Sequence, residues 1–323
     1  MTVATVILNY CTADLAVACL RSLEAEMRSL GGARAIVVDN GSPDGSAALI
    51  RKAVGDNGWS AWATLMPLAR NAGFSAGNNA AIRRCLSESS PPEYIHVLNP
   101  DTVVRPGAMS ELAAFLDAHP DAGIVGSALE DEAGRPQCSA HRFPSPLGEL
   151  EAAARLGALS RLLKRYVSAM EPADRPHPCD WVSGSSMMIR RQVFESIGLF
   201  DEGYFLYFDE VDFCRRAKAA GWQVWYVPQS RVVHLHGRAT GIVRGGRRRP
   251  EYWYASRRRF FLKHYGLLGL VAADLLWGAG RLSLAVRRAL GLGGGSGEDE
   301  PLRFAADLLL GDAWAILCGG NGA

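Results

Sequence analysis

VATVILNYCTADLAVACLRSLEAEMRSLGGARAIVVDNGS, residues 3–42, contains one complete strand–helix–strand pattern. Apolar, β-branched runs at 3–9 and 34–39 flank a helical pattern at about 13–30. Short apolar strands separated by a helix of this length are typical of a parallel sheet that is buried on both faces. The pattern recurs with strand-like runs at 62–67, 94–99 and 123–129 and helical patterns at about 45–54, 76–88 and 107–118. We therefore predict an α/β fold with a mixed, mainly parallel sheet and helices on both faces.

The composition excludes several classes of protein. Of the 323 residues, 48% are hydrophobic and 21% are charged, which excludes a mostly disordered chain. The net charge of +2 lacks the basic excess of a general nucleic-acid binder, so no nucleic-acid partner is expected. Seven scattered cysteines without a C-x-x-C pair favour free thiols in a reducing compartment. The N-terminal MTVATVILNY lacks a basic segment, so we predict a first strand and a cytoplasmic protein.

The second half of the chain departs from the regular alternation. Residues 130–178 are rich in Pro, Arg and Ala with one helical patch at 148–170, and we interpret them as an insertion or flap. Further elements are predicted at 181–190, at about 209–221 (helix), at 223–228 and 231–235 (strands), and at 251–264, 266–289 and 302–318 (helices), with a linker at 291–301. Residues 266–290 are mostly apolar but include Asp274 and Arg281, so we predict an amphipathic or buried helix with peripheral membrane contact rather than a spanning helix.

Polar residues follow the predicted strands of the first half. Ligands of parallel sheets bind at the carboxyl ends of the strands. The polar residues at these ends are Asn9, Asp39, Arg70, Asn71, Asn99 and Asp101. Asp39 suits a ribose or nucleobase, with an Asx turn or a helix cap as the structural alternative. The stretch at 70–79, just before a predicted helix, suits a phosphate, with a glycine-rich turn as the alternative.

Two further groups of residues suggest chemistry. Asp101 follows a strand and a proline, and one carboxylate with phosphate oxygens suits Mg²⁺ or Mn²⁺. His234 ends another strand in the sequence HLHG, where a metal or diphosphate role competes with a structural one. Asp209 and Glu210 follow the aromatic run YFLYF and begin a helix, so either residue could serve as a general base, while Asp212 orients or caps. The structural alternative is a charged first helical turn.

A dense basic run follows the HLHG sequence. It suggests a clamp for a diphosphate or an anionic surface, with a solvated basic face as the alternative. Its members, opposed locally only by Glu251, are Arg238, Arg244, Arg247, Arg248, Arg249, Arg257, Arg258 and Arg259.

Together these segments resemble glycosyltransferase family 2, in particular its rhamnosyltransferase-like members with a GT-A fold. VILNY (6–10) is similar to the opening strand, and RNAGFSAGNN (70–79) to the N-x-G-F-x-x-G-N-N segment. WVSGSSMMIRR (181–191) resembles W-x-x-G-[AS]-x-x-x-x-R, and GLFDEGYFLYFDEVDFCRRAKAAGW (198–222) resembles G-x-F-D-E-x-F-F-x-Y-x-E-D-x-D-L-C-x-R. Asn99–Pro100–Asp101 stands in place of the D-x-D metal motif, and His234 with Gly237 is similar to H-x-x-G. The motifs keep the family order over about residues 3–240, with Glu210 in place of the commoner Asp.

The resemblance implies an inverting glycosyltransferase that depends on a divalent metal. Its donor would be a nucleoside-diphosphate sugar, linked to dTDP or UDP, with rhamnose as the first candidate. Its acceptor would be a glycan, a lipid-linked glycan or another hydroxyl compound in cell-surface polysaccharide synthesis. The enzyme would be cytoplasmic or peripheral on the inner face of the membrane, and a homodimer is left open.

The resemblance also assigns domains and site residues. It implies a GT-A catalytic domain at 1–240, with a nucleotide-sugar-binding half at 1–129 and an acceptor half at 130–240, and a basic loop with C-terminal helices at 241–323. The implied site residues are Glu210 as the base with Asp209 beside it; Asn9, Asp39, Arg70, Asn71, Gly73, Asn78 and Asn99 for the nucleotide sugar; Asp101 and His234 for Mg²⁺ or Mn²⁺; and Trp181, Gly184 and Ser185 for the acceptor.

Other functions were weighed against this interpretation. A nucleotide-sugar-binding protein without catalysis would be marked by loss of Asp39, Asp101 or Glu210, and all three are present. A processive polysaccharide synthase needs several long apolar spans and a Q-x-x-R-W motif, and Gln192 is not followed by R-W. A nucleotidyltransferase needs a basic glycine-rich loop after the first strand, where this chain has NYCTADLA. A transferase that uses a UDP-hexose or UDP-GlcNAc donor remains open.

Overall fold

A computed structural model describes residues 2–235, 248–292, 301 and 303–318 of the chain. Within these residues the strands are β1 (Val3–Asn9), β2 (Arg34–Asp39), β3 (Ala63–Pro67), β4 (Tyr94–Leu98), β5 (Thr102–Val104), β6 (Ala122–Glu130), β7 (Pro136–Gln137), β8 (Ala140–His141), β9 (His177–Cys179), β10 (Trp181–Val182), β11 (Ser186–Arg190) and β12 (Gln223–His234). The α-helices are α1 (Ala13–Ser29), α2 (Ser46–Asp56), α3 (Phe74–Leu86), α4 (Ala108–Ala118), α5 (Pro146–Ala154), α6 (Gly157–Leu162), α7 (Arg191–Ile197), α8 (Asp209–Ala219), α9 (Glu251–Ala289) and α10 (Phe304–Leu317).

The main sheet has the strand order β3-β2-β1-β4-β11-β6-β12-β5. The four strands from β3 to β4 are parallel, whereas β11 runs antiparallel to both of its neighbours, β4 and β6. β12 is parallel to β6 and antiparallel to β5. The predicted mixed sheet is confirmed, with parallel pairing from β3 to β4 and between β6 and β12. The separate strands predicted at 223–228 and 231–235 are one strand, whose register with β6 shifts between Val227 and Arg231.

Helices cover both faces of β1 because its side chains alternate. Ile7 belongs to the buried core that α1, α2 and α4 form on one face. Its neighbour Leu8 points to the other face, where α3 approaches so closely that a Cβ on Gly77 would lie 2.4 Å from Leu8 Cδ1. This packing confirms the expectation of helices on both faces and brings the start of α3 next to the end of β1.

Two predicted helices differ from the observed ones. The patch at 148–170 is not one helix, because Arg155 adopts a left-handed φ of 49° and separates α5 from α6. The helix expected from 76 begins at Phe74, since Gly73, with φ of 92°, already ends the preceding loop. The division expected between helices at 251–264 and 266–289 is confirmed, because Gly266 interrupts α9 with non-helical dihedral angles. Most of the predicted linker at 291–301 lies outside the described residues.

The contacts divide the chain into two compact units. The first unit comprises residues 1–141, 171–205 and 209–241, and the second comprises 142–170, 206–208 and 242–323. The first unit holds the large sheet. The second unit therefore contains helices from two distant parts of the sequence, α5 and α6 with α9 and α10. The functional division at residues 129 and 240 stays a prediction.

The second unit is organised around a buried arginine. The side chain of Arg257 is 1% exposed, and its Nη1 lies 2.8 Å from Asp274 Oδ1 and 3.2 Å from Asp312 Oδ2. Its Nη2 lies 3.3 Å from Glu149 Oε2, and Arg258 Nε donates to Asp312 Oδ1 at 2.6 Å. The network joins α5, both parts of α9 and α10. Asp274 is therefore an ion-pair partner within this otherwise apolar segment.

We predict that Asp274 makes the stability of this unit depend on pH. Burial, which outweighs Arg257, raises the pKa of Asp274 from 3.8 to about 6. The folded state therefore binds more protons than the unfolded state between about pH 4 and 6, and stability falls as the pH rises through this window. Asp274→Asn should remove this fall in stability. The free energy of unfolding of the variant, relative to that of wild type, should therefore increase by about 3 kcal/mol as the pH rises through the window, measured by urea unfolding.

The control variant is Asp307→Asn. Arg248 lowers the pKa of Asp307, so this carboxylate stabilises wild type increasingly as the pH rises. The free energy of unfolding of Asp307→Asn, relative to that of wild type, should therefore decrease as the pH rises. Parallel pH profiles for wild type and Asp274→Asn would contradict the prediction.

Candidate active site

Asn9 and Asp39 face each other at the carboxyl ends of β1 and β2. They are register partners in the parallel pair, and Asn9 Nδ2 donates to Asp39 Oδ1 at 2.8 Å. The backbone N–H of Ser42 donates to Asp39 Oδ2 at 3.2 Å, and Asp39 is 2% exposed. Both carboxylate oxygens thus accept hydrogen bonds from the protein. The bond from Ser42 spans three residues rather than the two of an Asx turn, and the contact of Asp39 with a nucleotide stays a prediction.

The loop before α3 is held by a residue that the sequence analysis did not single out. Asn40 is buried, and its Nδ2 donates to Asn71 Oδ1 at 2.9 Å and to the Gly73 carbonyl at 3.1 Å. Gly73 is required here, because a Cβ would lie 2.5 Å from the Phe205 carbonyl oxygen. Asn40 lies in the turn sequence DNGS, whose polar residues were the available signal.

The remaining residues assigned from the stretch at 70–79 occupy different environments. Arg70 is exposed. Asn78 is fully buried inside α3, where its Nδ2 donates to the Phe74 carbonyl at 2.9 Å. The adjacent Asn79 accepts from the backbone N–H of Phe200 at 3.1 Å and donates to its carbonyl at 2.9 Å, so it connects α3 to the loop that precedes α8. The role of Asn78 toward a ligand stays a prediction.

Asp101 and His234 meet at the paired ends of β5 and β12. His234 lies opposite Thr102 in the antiparallel register, and its Nε2 is 3.6 Å from Asp101 Oδ1. Ser185 Oγ lies 3.4 Å from His234 Nε2 and accepts from Asn99 Nδ2 at 3.3 Å. The hydroxyl of Ser185, assigned to the acceptor from sequence, therefore bridges a predicted metal residue and a predicted nucleotide residue.

The fit of this group to a divalent cation rests on its donor atoms. A carboxylate oxygen and an imidazole nitrogen face each other with little solvent exposure, and a hard cation completes its shell with phosphate oxygens and water. In the part of the chain that the structure describes, no three His, Cys, Asp or Glu side chains form a complete metal site. The residues present therefore fit a cation that arrives with a phosphorylated ligand.

Asp209 and Glu210 form a pair of carboxylic groups at the start of α8. Asp209 is 2% exposed, and burial followed by the charge of Glu210 raises its pKa well above the usual range. Burial also raises the pKa of Glu210, while hydrogen bonds from Asp209 and from the backbone N–H of Gly184 oppose this rise. The pKa of Asp209 is therefore raised more than that of Glu210, so Glu210 is the group of the pair that ionises more readily.

The backbone around this pair is constrained. Tyr207 and Phe208 have left-handed φ angles of 70° and 63°, which are costly for aromatic residues. Their contacts lie within the second unit, where Ser256 Oγ donates to the Leu206 carbonyl at 3.0 Å and Phe208 packs on Phe260. Strain immediately before a carboxylate pair is a feature of functional sites.

Asp212 and Gly184 complete the surroundings of the pair. Arg216 donates from Nε to the buried Asp212 Oδ2 at 2.8 Å and from Nη1 to the Ile197 carbonyl at 2.8 Å. Asp212 is thus the ion-pair partner of Arg216, and its role in orienting or capping stays a prediction. A Cβ on Gly184 would lie 3.8 Å from both Glu210 Cβ and Phe74 Cζ. The acceptor-side segment therefore runs next to the candidate base.

Trp181, also assigned to the acceptor side, stacks on a residue that sequence reasoning missed. Its ring lies 4.0 Å from that of His141 at an interplanar angle of 12°. Burial lowers the pKa of His141 to about 4, so the stacked imidazole is neutral at neutral pH. His141 stood in a region without strand or helix periodicity, which gave no signal.

Part of the predicted diphosphate region lies outside the described residues. His236, Gly237, Arg238, Arg244 and Arg247 belong to this part. Among the other arginines of the basic run, Arg248 pairs with Asp307, Arg257 with the three carboxylates of its network, and Arg258 with Asp312. These partners come from parts of the chain that are distant in sequence, beyond the one local acidic residue, Glu251.

The fold and the site together define a class. The strand order β3-β2-β1-β4 with polar residues at the strand ends is that of a GT-A fold. The Asp101–His234 pair and the Asp209–Glu210 pair agree with this class. Mannosyltransferase PcManGT from Pyrobaculum calidifontis, solved in complex with GDP-Man and Mn²⁺, is similar with a TM-score of 0.57 at 16% identity, over 97% of this chain and 80% of that one.

The family follows from the sequence. Residues 3–255 match the model of the glycosyltransferase like family 2, so the chain belongs to this family and is a glycosyltransferase. The N-acetylglucosaminyl-diphospho-decaprenol L-rhamnosyltransferase of Mycobacterium tuberculosis is 30% identical over 217 residues, which cover 64% of this chain and 67% of that protein. The low-salt glycan biosynthesis hexosyltransferase Agl10 of Haloferax volcanii is 33% identical over 148 residues, 46% of this chain and 44% of the relative.

Proposed function

We propose that this glycosyltransferase moves rhamnose from a nucleoside diphosphate, dTDP first, to a hydroxyl group of a glycan or lipid-linked acceptor, with inversion at the anomeric carbon. The observation that carries the proposal is the Asp209–Glu210 pair beside Gly184, in which Asp209 is buried and Glu210 is partly exposed. The mycobacterial relative supports rhamnose and a lipid-diphosphate acceptor. Agl10 supports a hexose donor as the second candidate. The reaction belongs in cytoplasmic assembly of a cell-surface polysaccharide.

Glu210 acts as the general base in a single displacement. It takes the proton of the acceptor hydroxyl while that oxygen forms a bond to the anomeric carbon, and the bond to the nucleoside diphosphate breaks on the opposite face. The raised pKa of Glu210 brings its basicity closer to neutral pH, where a general base is most effective. Asp209 donates its hydrogen bond to Glu210 and thereby orients the basic oxygen.

Asp101 and His234 would hold a divalent cation, Mg²⁺ or Mn²⁺. Such an ion supplies charge neutralisation for a diphosphate when it is bound. Ser185 orients the imidazole of His234 through the contact of 3.4 Å, and Asn99 in turn donates to Ser185. Asn9 and Asp39, at the neighbouring strand ends, lie where the base and ribose of the donor are expected.

The helices of the second unit carry an exposed apolar surface that favours peripheral membrane contact. On α9 it comprises Leu268, Leu275 and Leu282, spaced by seven residues and 67–85% exposed. On α10 it comprises Leu310, Trp314 and Leu317, 67–85% exposed. By length and composition α9 also qualifies as a candidate span, with a mean hydropathy of 1.4 in its most apolar window, of which 33% is buried. The ion-paired Asp274 favours a helix that lies on the surface of the membrane.

Glu210→Gln tests the chemical step. Loss of a general base should lower turnover by about 10²–10⁴-fold while donor affinity stays near that of wild type. Asp209→Asn should cost less, because an amide still donates to Glu210. Steady-state kinetics and donor titration measure both effects, and NMR of the product should show an inverted anomeric centre. Near-normal turnover of Glu210→Gln, or retained configuration, would defeat the mechanism.

Asp101→Ala tests the cation site. The affinity of wild type for the nucleoside diphosphate should rise when Mg²⁺ or Mn²⁺ is added, and the variant should lose this dependence because a carboxylate ligand is gone. Calorimetric titration with and without a chelator measures it, and circular dichroism checks the fold. Asp14→Ala, which changes an exposed carboxylate on α1, is the control. Equal affinities with and without metal in wild type would exclude Asp101 as a ligand.

Vesicle flotation tests the apolar surface. Wild type should float with anionic vesicles more than with neutral ones, because each basic residue near an anionic surface contributes about 1 kcal/mol. Replacing Leu275 and Leu282 by Gln should reduce flotation, whereas Leu49→Gln, at an exposed leucine of α2, should not. Flotation that is unchanged in the double variant, or indifferent to lipid charge, would contradict this surface assignment.

A further inference from the structure

A second group of cations surrounds a cavity within the second compact unit. The cavity has a volume of about 460 Å³, within the range of small-molecule sites. Its lining residues, four of them cationic and none acidic, are Arg142, Arg161, Leu162, Lys164, Arg165 and Tyr166. We refer to it as the basic pocket. The catalytic roles assigned above use none of these residues.

The walls of the basic pocket are held by hydrogen bonds and close packing. The backbone N–H of Arg142 donates to the Ser168 carbonyl at 2.7 Å, and the Ser168 hydroxyl donates to the Arg142 carbonyl at 3.0 Å. The side-chain Nη1 of Arg142 donates to the Val167 carbonyl at 3.2 Å. The carbonyl oxygen of Tyr166 would lie 2.8 Å from a Cβ on Gly148, so this turn packs directly on α5.

The helix that carries Arg161 and Leu162 is fixed to α5 in the same way. Ser160 Oγ donates to Glu151 Oε1 at 2.6 Å. Glu151 of α5 therefore accepts a hydrogen bond from α6. Both the α6 segment and the turn at Tyr166, which line the basic pocket, are thus held in place by contacts with α5.

Three cations of the basic pocket, Arg161, Lys164 and Arg165, are not neutralised by carboxylates in the part of the chain that the structure describes. Arg161, Lys164 and Arg165 form no ion pair with any carboxylate of the described residues, in contrast to Arg248, Arg257 and Arg258. Like charges around one cavity repel, and an anion relieves this repulsion. Beside the cations, Leu162 is 81% exposed and Tyr166 is 39% exposed. The combination suits an anionic group that is attached to an apolar chain.

We propose that the basic pocket binds the diphosphate group of a lipid-linked acceptor. This inference rests on the proposed function, which it extends by a subsite for the acceptor. Two guanidinium groups and an ammonium group can contact the oxygens of a diphosphate, and arginine does so through paired hydrogen bonds. Leu162 and Tyr166 contact the first carbons of the lipid. Arg142 follows His141 in the chain, and His141 stacks on Trp181 of the acceptor-side segment.

Binding of inorganic pyrophosphate tests the pocket without catalysis. The double variant Arg161→Gln/Arg165→Gln keeps side-chain length but removes two charges. Calorimetric titration of the full chain in metal-free buffer should show at least about 10-fold weaker binding to the double variant than to wild type, since one charged hydrogen bond accounts for that factor. Arg155→Gln, an exposed arginine of the same unit that does not line the pocket, should bind as wild type does.

Acceptor kinetics identify the source of the phosphate. With an acceptor that carries a lipid diphosphate, KM should rise at least about 10-fold in the double variant while kcat stays unchanged. With a glycan acceptor that lacks phosphate, KM should not change. Vesicles with and without anionic phospholipid are assayed in parallel, and the double variant should bind both as wild type does.

Three results would overturn the proposal. Pyrophosphate binding that is equal in wild type and the double variant excludes the pocket as an anion site, whatever the enzyme transfers. An unchanged KM for the diphosphate acceptor, or an equal rise of KM for both acceptors, excludes it as the acceptor subsite. If the double variant loses binding to anionic vesicles while its KM stays unchanged, the basic pocket is a site for phospholipid headgroups instead. A wild type without transfer activity would contradict the proposed function, and pyrophosphate binding would then decide the pocket alone.

Discussion

Two adjacent carboxylic groups with restricted access to water are costly to ionise together, and this constraint organises the candidate active site. Burial raises the pKa of both Asp209 and Glu210, and it raises that of Asp209 further. The N–H of Gly184 and the hydrogen bond from Asp209 both stabilise the charged form of Glu210. A glycine at 184 is suitable because the backbone there passes beside Glu210. The acceptor-side segment thus contributes to the basicity of the residue that would act on the acceptor.

The sheet topology explains why the other polar residues converge. Asn9, Asp39 and Asn99 end parallel strands or follow them directly, so they lie at one edge. β11 runs antiparallel to β4 and begins at the same edge, with Ser186 opposite Leu98, which brings Ser185 next to Asn99. β12 ends opposite Thr102 and brings His234 to Asp101. Residues separated by up to 225 positions, Asn9 and His234, thereby take places at this one edge.

The elements that could be predicted from the sequence are those whose signal is local. β1, α1 and β2 follow from apolar periodicity, and Asp39 and Asp101 from their place at strand ends. The break at Arg155 could not be predicted, because an arginine with left-handed φ has no sequence signature. Asn40 and His141 act through partners that are distant in the chain, Asn71 and Trp181, which only the tertiary structure reveals. The grouping of residues 142–170 with the C-terminal helices was hidden for the same reason.

Charge compensation, rather than the density of charge along the sequence, distinguishes the two basic regions of the second unit. The arginines from 248 to 258 attract attention in the sequence, yet Arg248, Arg257 and Arg258 face carboxylates of distant helices and serve to join those helices. Arg161, Lys164 and Arg165 are fewer and stand in an irregular segment, but no described carboxylate neutralises them. A buried arginine without partners would be costly, and the carboxylates around Arg257 offset that cost. Solvated cations around a cavity carry no such requirement and retain their charge for a ligand. The same residue type therefore has a structural role in one place and is available for binding in the other.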